Sequence, residues 1–320
     1  MKSFLFPRQF FTHYFCFRKL IFKMDYLELL ESESIFIFRE IAGQFKKPVL
    51  LFSGGKDSTV LLHLALKSFY PSHPPFGVLH IDTGHNFPEA IAFRDKLVED
   101  TGFKLIVKKV EDTIIERGLI DITGKFPSRN ALQSYTLLDA INEYGFDACI
   151  GGGRRDEEKA RAKERIFSIR NAIGSWQPHN QRPELWNIYN GKIHQGENVR
   201  VFPISNWTES DIWQYIRREQ IKIPSLYFSH ERKCVLFNGR LLAWSEYANL
   251  NENDKIITTH VRYRTVGDMT CTAAVMSNAT TIDEVILEIE NSPISERGET
   301  RIDDQISDAG MEDRKMKGYF

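Results

Sequence analysis

The sequence has few cysteines and no cysteine pair. No two of them are close enough to form a C-x-x-C motif, since they stand at Cys16, Cys149, Cys234 and Cys271. This scatter argues against a disulfide scaffold, a zinc site and an iron–sulfur cluster. Because isolated thiols are typical of proteins of the reducing cytosol, we expect a cytoplasmic protein without a redox cofactor.

An excess of one charge and a long apolar run are also missing. The 42 Lys and Arg residues are balanced by 43 Asp and Glu residues, which leaves a formal net charge of -1. This balance gives no support for a protein that coats nucleic acid or an anionic membrane. No uncharged apolar run approaches the roughly 18–20 residues that span a bilayer. We therefore expect neither nucleic acid nor membrane among the partners.

A Walker loop is absent as well. That motif needs four residues between its first glycine and a Gly-Lys-Ser/Thr triplet. The nearest candidate runs from Gly118 to Gly124-Lys125, has five intervening residues and ends in Phe126. The chain therefore has no motif of this kind with which to bind and hydrolyse a second nucleotide.

The most informative stretch that is present covers residues 48–59. A short apolar run predicts a buried parallel strand, and an apolar helix begins directly after it. The turn between them consists of Ser53, Gly54, Gly55, Lys56, Asp57 and Ser58. Two glycines allow a close backbone approach to a ligand, and the helix N-terminus attracts anions. The pattern predicts a phosphate-binding loop, and the simpler alternative is a serine-capped strand-to-helix turn.

Strands alternate with helices along the chain. This order predicts an α/β fold, a doubly wound and mostly parallel sheet of about five strands with helices on both faces. We expect the strands at 48–52, 76–83, 104–107, 147–150 and 199–202. We expect helices at 25–45, after the phosphate loop, from Pro88 to about Asp100, at 128–144 and from a capping box at Thr208 and Asp211.

Three strand ends carry polar turns that contain glycine, at 53–58, 82–86 and 151–156. Ligands of open parallel sheets bind beyond the carboxyl ends of the strands, so we expect these turns to converge. In the third turn Arg154 and Arg155 follow three glycines, and an arginine fork suits a tetrahedral oxyanion. The charges that follow predict a helix through residue 165, with Arg155, Lys159 and Lys163 on one face. Its outer charges bind anions or form a solvated face with pairs such as Glu157–Arg161.

The motif Ser-Gly-Gly-x-Asp-Ser at 53–58 resembles the pyrophosphate loop of the PP-loop ATP pyrophosphatases. With the segments 82–89 and 152–158, it resembles the sulfate-activation branch of that family. This branch includes the phosphoadenylyl-sulfate reductases and the small subunits of bacterial two-subunit sulfate adenylyltransferases. From Met24 onward nearly the whole chain resembles these small subunits, including 165–168, 262–267, 295–297 and 317–320. One departure is Asp268-Met269-Thr270-Cys271, where we expect Cys-Tyr-Pro.

The resemblance implies an enzyme that converts ATP and sulfate into adenylyl sulfate and pyrophosphate, the first step of sulfate assimilation. It implies a larger GTPase subunit as partner in a heterodimer or larger assembly, and Mg²⁺ on the ATP phosphates near Asp57. Lys56, Arg154 and Arg155 are the expected catalytic residues, with the arginines on sulfate or the α-phosphate. The expected ATP-binding residues are those of the loop, Ser53, Gly54, Gly55, Lys56, Asp57 and Ser58, with Asp82, Gly84 and Gly152.

Three alternatives stay open at this point. A phosphoadenylyl-sulfate reductase needs a nucleophilic cysteine near its C-terminus or cysteine pairs for a cluster, whereas the last cysteine here is Cys271. Another PP-loop adenylating enzyme, acting on tRNA or a flavin, shares the loop; the missing basic face weakens the tRNA version. A nucleotide sensor without catalysis is the third alternative, and the intact loop weighs against it.

The two ends of the chain differ from its middle. Residues 1–23 are rich in phenylalanine and basic residues and contain no acid. We interpret them as an upstream extension, with Met24 as the true start; a membrane-surface segment is the alternative. We expect an ATP-binding α/β domain at 24–230 and a C-terminal region at 231–320. From residue 292 the chain is charged and poor in apolar residues, which fits a disordered tail or an arm over the site or a partner.

Overall fold

The structure is a computed structural model that describes residues 25–157, 161–292 and 296. The predictions for the leader at 1–23, for Lys159 and for most of the chain after residue 292 lie outside these ranges. Among the described residues, no helix combines the length and the hydropathy needed to cross a bilayer.

The centre of the fold is a six-stranded sheet with the order β3-β2-β1-β4-β6-β5. Neighbouring strands are parallel except for β5, which runs antiparallel to β6. The predicted parallel α/β sheet is confirmed, and all five predicted strands are present. The strands are β1 (Pro48–Leu51), β2 (Gly77–Asp82), β3 (Leu105–Lys109), β4 (Ala148–Ile150), β5 (Phe167–Arg170) and β6 (Asn198–Val201).

Helices cover both faces of this sheet. Successive strand residues point to opposite faces, so Val49 packs with Leu137 on one side while Leu50 packs with Leu61 on the other. A strand buried on both faces must be apolar throughout, which explains the unbroken apolar run of β1. The helices of the described residues are α1 (Tyr26–Gln44), α2 (Lys56–Phe69), α3 (Pro88–Thr101), α4 (Val110–Arg117), α5 (Asn130–Tyr144), α6 (Glu209–Glu219) and α7 (Ile282–Glu290).

The local signals set the ends of several helices as predicted. Helix α3 begins with Pro88 in its first turn, where the missing N–H costs nothing, and ends at Gly102 in the left-handed conformation. Helix α6 begins with the predicted capping box, in which Thr208 accepts from the Asp211 N–H and Asp211 accepts from the Thr208 N–H.

The helix predicted after the triple glycine is wrong for the residues that are described. Residues 155–157 form a turn, and Arg161–Lys163 is a single 3₁₀ turn. The chain folds back here, and the guanidinium of Arg161 lies where a Cβ on Gly153 would stand. A helix would instead carry the chain away from Gly153 by about 1.5 Å per residue.

A second, smaller sheet was not predicted. Strands β7 (His230–Phe237), β8 (Arg240–Ala243), β9 (Ile256–Arg262) and β10 (Ala273–Met276) form a closed antiparallel barrel in the order β10-β8-β7-β9. Its interior residues Cys234, Val261 and Ala274 belong to the same hydrophobic cluster as Leu50 and Leu61 of the main sheet. The barrel therefore packs directly on the α/β layers.

Candidate active site

A cleft of about 280 Å³ opens at the carboxyl ends of β1, β2 and β4. The chain order of the strands reverses between β1 and β4, so their loops diverge and leave a crevice at this point. Turns after all three strands contribute to its lining, as the sequence predicts. From these strand ends the lining residues are Ser53, Gly55, Asp57, Ser58, Ile81, Asn86, Gly151, Gly152 and Gly153.

The phosphate loop between β1 and α2 is shaped by its glycines. Gly54 has a φ of +78°, which a residue with a side chain adopts only with strain, and an added Cβ would lie 3.3 Å from the carbonyl oxygen of Ala90. The N-cap residue of α2 is Gly55, which has no side chain to cap the helix. The backbone N–H of Lys56 donates to the hydroxyl of Tyr227 at 2.7 Å. The start of α2 thus faces the cleft with its positive dipole end.

Two buried cations lie side by side on one carboxylate. Lys56 and Arg154 are 0% and 1% exposed. Lys56 Nζ donates to Oδ2 of Asp57 at 2.9 Å, and Arg154 Nε donates to Oδ1 of the same residue at 2.8 Å. A Cβ on Gly152 would lie 3.1 Å from the Cβ of Asp57, so glycine allows the turn after β4 to approach this carboxylate.

The opposite charges in this cluster stabilise one another's ionised forms. Burial alone would lower the pKa of Lys56, but the negative charges of Asp57 and Glu296 outweigh it and raise that pKa above its ordinary value. The pKa of Arg154 is raised for the same reason and against the same burial. Burial would raise the pKa of Asp57, yet Lys56 and Arg154 together lower it. Both cations and Asp57 are therefore charged near neutral pH.

The fourth member of the cluster comes from the C-terminal segment. Glu296 is 4% exposed, and its carboxylate accepts from Lys56 Nζ through Oε1 and from Arg154 Nη2 through Oε2. Burial raises the pKa of Glu296 to about 7, against the attraction of the two cations. Glu296 thus occupies the space that the two cations share.

Two turns that are hydrogen-bonded to each other form the outer rim of the cleft. The hydroxyl of Thr83, after β2, donates to Oδ1 of Asp268 at 2.6 Å, and the backbone of Met269 donates to the carbonyl of His85 at 2.9 Å. Asn86 and Asp268 form a β-bridge. A segment that leads into β10 therefore borders the phosphate loop's cleft, and the barrel is part of the site.

Comparison with known proteins identifies the family. Residues 47–274 match the family model of the phosphoadenosine phosphosulfate reductase domain. The sulfate adenylyltransferase subunit 2 of Mycolicibacterium gilvum is 56% identical over 299 residues, which cover 93% of this chain and 96% of that protein. The chain belongs to the sulfate adenylyltransferase subunit 2 family.

Other members of the subunit 2 family are equally similar. The protein of that name from Streptomyces lavendulae is 56% identical over 297 residues, covering 93% of this chain and 92% of its own length. Among solved structures, the phosphoadenylyl-sulfate reductase of Candida auris in complex with phosphate superposes with a TM-score of 0.41 at 15% identity. That superposition covers 70% of this chain and 93% of the reductase.

The structure separates the two arginines that the sequence placed together. Arg155 is not part of the cluster around Asp57. Its guanidinium donates to the side chain of Asn206 and to the carbonyl of Glu164, and it lines a different cavity of about 240 Å³. The side chains of consecutive residues in a turn point in different directions. The sequence does not reveal this, because it shows only two adjacent arginines. A catalytic role for Arg155 stays a sequence prediction.

Two predicted ATP-binding residues of this subunit 2 chain shape a turn instead of lining the cleft. Asp82 accepts from the backbone N–H of Gly84 at 2.8 Å, and Gly84 has a φ of +76°. Their neighbours His80, Ile81 and Asn86 line the cleft in their place. Gly54 likewise shapes the loop, whereas Ser53, Gly55, Asp57, Ser58 and Gly152 line it.

Sequence reasoning missed three residues that the fold brings to the site. Glu296 reaches it across 240 positions of sequence, and Tyr227 across 171. Asp268 was noticed only as a departure from the family pattern. No local motif marks Tyr227 or Asp268, and Glu296 was signalled only by the family resemblance of the segment Ser295-Glu296-Arg297.

Proposed function

We propose that this chain is the catalytic subunit of a sulfate adenylyltransferase, and that it transfers the adenylyl group of ATP to sulfate, releasing pyrophosphate. Relatives that are 56% identical over 93% of the chain carry the name sulfate adenylyltransferase subunit 2. The observation that carries the proposal is the buried pair Lys56 and Arg154, which lies beside the phosphate loop at the point where the sheet reverses.

The chemistry needs little more than placement and charge. Sulfate is a dianion near neutral pH, so no general base is required to create the nucleophile. Catalysis then consists of holding sulfate in line behind the α-phosphorus and neutralising the developing charge. Lys56 and Arg154 supply two fixed positive charges beside the cleft, and both are buried, where such charges act most strongly.

Each part of the cleft has a role in this proposal. Ser53, Gly55, Ser58 and the N-terminus of α2 hold the leaving pyrophosphate. Arg154 holds sulfate or the α-phosphate, since a guanidinium binds such oxygens with two parallel hydrogen bonds. The apolar walls of the cleft accept the adenine ring, and they are formed by Leu51, Leu79 and Leu137.

Magnesium enters with ATP in this proposal. Within the described ranges no group of three or more His, Cys, Asp or Glu side chains could hold a metal. Four carboxylates line the cleft, those of Asp57, Glu157, Asp268 and Glu296, and Asp57 of the phosphate loop is 26% exposed. That donor fits Mg²⁺, which usually keeps several waters and binds through one or two carboxylates together with substrate phosphates. When bound, the ion would neutralise charge on those phosphates.

A partner subunit completes the enzyme. The phosphosulfate product lies uphill of ATP, so net synthesis requires coupling to another reaction. The sequence contains no Walker loop of its own, and the relatives are named as one numbered subunit. We propose that a larger subunit supplies the coupling by hydrolysing GTP, and that the pair works in the cytoplasm.

The reductase alternative lacks its nucleophile in the described cleft. The last cysteine of the sequence, Cys271, is 2% exposed. Its sulfur accepts from the side-chain amide of Asn130 at 3.3 Å and lies 3.8 Å from the carbonyl oxygen of Asp268. A thiol held among packed groups in this way is a structural cysteine.

The test is the formation of labelled adenylyl sulfate. Purified protein is incubated with Mg-ATP, radiolabelled sulfate and pyrophosphatase, first alone and then with the GTPase subunit and GTP. We expect product that rises steeply with partner and GTP and falls about a hundredfold or more in Lys56→Ala and Arg154→Ala, because each removes a fixed charge on the transferring group.

The matched control is Arg217→Ala, which removes an exposed arginine that pairs with Asp283 on the surface. It should keep the wild-type yield. Arg155→Ala tests the sequence prediction for that residue, since a wild-type yield would place it outside the reaction. Absence of product even with partner and GTP contradicts sulfate activation.

A further inference from the structure

Lys56 and Arg154 are buried beside the cleft and share the carboxylate of Glu296, which lines it. Lys56 Nζ binds one oxygen of the Glu296 carboxylate, and Arg154 Nη2 binds the other. In this respect the carboxylate resembles sulfate or a terminal phosphate, which also presents two oxygens on one central atom. Lysine and arginine are the side chains that most often bind such groups. We name the space between Lys56 Nζ and Arg154 Nη2 the oxyanion site.

The remaining partner of both cations is fixed in place. Asp57 belongs to the first turn of α2, next to Lys56, and binds each cation with one oxygen. Glu296 comes from a different part of the chain, 240 positions away from Lys56. The two carboxylates thus differ, because one is built into the helix that carries the lysine and the other reaches it from outside.

The charge balance leaves no room for a second anion while Glu296 is present. Lys56 and Arg154 contribute two positive charges, Asp57 and an ionised Glu296 contribute two negative charges, and the carboxylate of Asp156 lies 3.5 Å from Nη1 of Arg154. A phosphate or sulfate added to this cluster would meet a carboxylate at close range, and like charges within a few ångströms repel strongly in a buried site. Exchange of the carboxylate for the ligand keeps the cations paired.

We propose that Lys56 and Arg154 form a single oxyanion site, and that Glu296 is an internal competitor whose carboxylate a phosphate or sulfate group displaces on binding. This inference rests on the proposed function, and it adds to it a residue that sets the affinity for anionic substrates. It also assigns Lys56 and Arg154 to the same anion, whereas the proposed function placed only Arg154 on sulfate or the α-phosphate.

The surroundings of Glu296 make its carboxylate a suitable competitor. Among the described residues, the charged groups that act on it include Lys56, Arg154, Asp57 and Glu209. Burial and the two neighbouring acids oppose its negative charge, whereas the two cations favour it. A buried ion pair of this kind contributes little net stability, because desolvation offsets its attraction. Glu296 therefore occupies the site without holding it against a ligand of higher charge.

Calorimetric titration tests the proposal. The full chain in metal-free buffer is titrated with inorganic pyrophosphate in one arm and with sodium sulfate in the other, which distinguishes the two sources of an oxyanion. The variants are Glu296→Gln and, as matched control, Glu288→Gln, whose carboxylate pairs with Arg262 outside the cleft. If Glu296 holds the site in roughly nine molecules of ten, its removal lowers the apparent Kd about tenfold.

We expect Glu296→Gln to bind the effective anion about tenfold more tightly than wild type and Glu288→Gln to bind it with unchanged affinity. Adding Lys56→Met to Glu296→Gln should abolish the gain. Glu296→Asp is the second variant in case the first folds poorly: its shorter side chain cannot span both cations, so it should also tighten binding.

Unchanged or weaker binding in both Glu296 variants would overturn the proposal and make Glu296 a residue that positions the cations. Failure of wild type and variants to bind either anion would overturn it as well, because no oxyanion site would exist. The proposed function is judged separately by labelled adenylyl sulfate, so either idea can fail without the other.

Discussion

At the scale of single residues, His80 shows how the fold fixes a charge state. It lies on β2 with 2% of its surface exposed, and its Nδ1 bonds to the carbonyl oxygen of Phe52 at 2.7 Å, just before the phosphate loop. Burial lowers the pKa of His80 from 6.5 to about 4, against the effect of that hydrogen bond. The ring is therefore neutral at physiological pH and donates from Nδ1 to the carbonyl.

We predict that the chain loses stability in acid because of His80. The unfolded chain binds a proton at this residue below pH 6.5, while the folded chain does so only near pH 4. Stability is thus complete above pH 6.5 and falls as the pH drops through this window. The linkage relation gives a loss of about 2 kcal/mol by pH 5 and about 3 kcal/mol below pH 4.

Urea unfolding of wild type and His80→Asn at pH 7.5 and pH 5 measures this effect. Asparagine keeps a donor near the Nδ1 position and cannot titrate, so the variant should lose less stability between the two pH values. The exposed His73→Asn serves as control and should match wild type. Equal pH slopes in wild type and His80→Asn would contradict the prediction.

Whether a site residue could be predicted depends on how far apart in the sequence it and its partner lie. Lys56 and Arg154 were predictable because each follows a strand end next to glycines, and parallel strand ends meet at one edge. Glu296, Tyr227 and Asp268 were not, because each contact joins segments more than 150 positions apart. Side-chain direction also limits prediction from sequence. Arg155 is an arginine directly after Arg154, but its side chain points away from the cluster around Asp57.

At the scale of elements, the contact between the turn after β2 and the segment before β10 joins the two sheets. The Thr83 hydroxyl donates to Asp268, which is 2% exposed, across 185 positions of sequence. A hydrogen bond to a charged group contributes about 1.5–3 kcal/mol. Since Asn86 of the same turn lines the cleft, this bond also positions a wall of the site.

We predict that Thr83 and Asp268 are energetically coupled. In a double-mutant cycle with Thr83→Val and Asp268→Ala, the two changes should cost less together than the sum of each alone, with an interaction energy of about 1–2 kcal/mol. The KM for ATP should rise in both single variants because the turn loses its support. Urea unfolding and initial rates measure the two effects. Strictly additive free energies of unfolding would contradict the coupling.

Elements with a strong local pattern were predicted, and those without one were missed. Strands β1 to β4 and β6 are apolar runs between turns, which is the signal of a buried strand. Strand β5 was missed because its four buried residues include Ser168 and Arg170, which bond to the carboxylate of Glu164. The barrel strands were missed because half of β7 is polar, HERK, and β9, one of its two partners, lies farther along the chain. The other partner, β8, follows in a hairpin across Asn238 and Gly239, a local signal that the prediction did not use.

At the scale of the whole molecule, the barrel and the α/β layers share one core. Val261 of β9 and Leu64 of α2 are both fully buried and belong to the same hydrophobic cluster. The division of the chain near residue 230 stays a sequence prediction. The hydrophobic core is continuous across this division, because buried residues on both sides of it belong to one cluster. We therefore expect the two parts to fold together.

We predict that the chain unfolds in a single cooperative transition. Scanning calorimetry should give one peak whose calorimetric and van't Hoff enthalpies agree, as for a two-state unit. Val261→Ala and Leu64→Ala each remove buried methyl groups, at a cost of about 2–4 kcal/mol, and both should move this same peak to lower temperature. Leu287→Ala, at a position 61% exposed, is the control and should leave it in place.

The competing outcome is two peaks, with Val261→Ala lowering one and Leu64→Ala the other. That result would mean that the barrel folds on its own and only rests against the sheet. The site argues for the first outcome. Tyr227 supports the first N–H of α2, and Asp268 supports the turn after β2, so parts on both sides of residue 230 must be in place before the cleft has its shape. A protein whose cleft is built from both sheets needs them to fold as one.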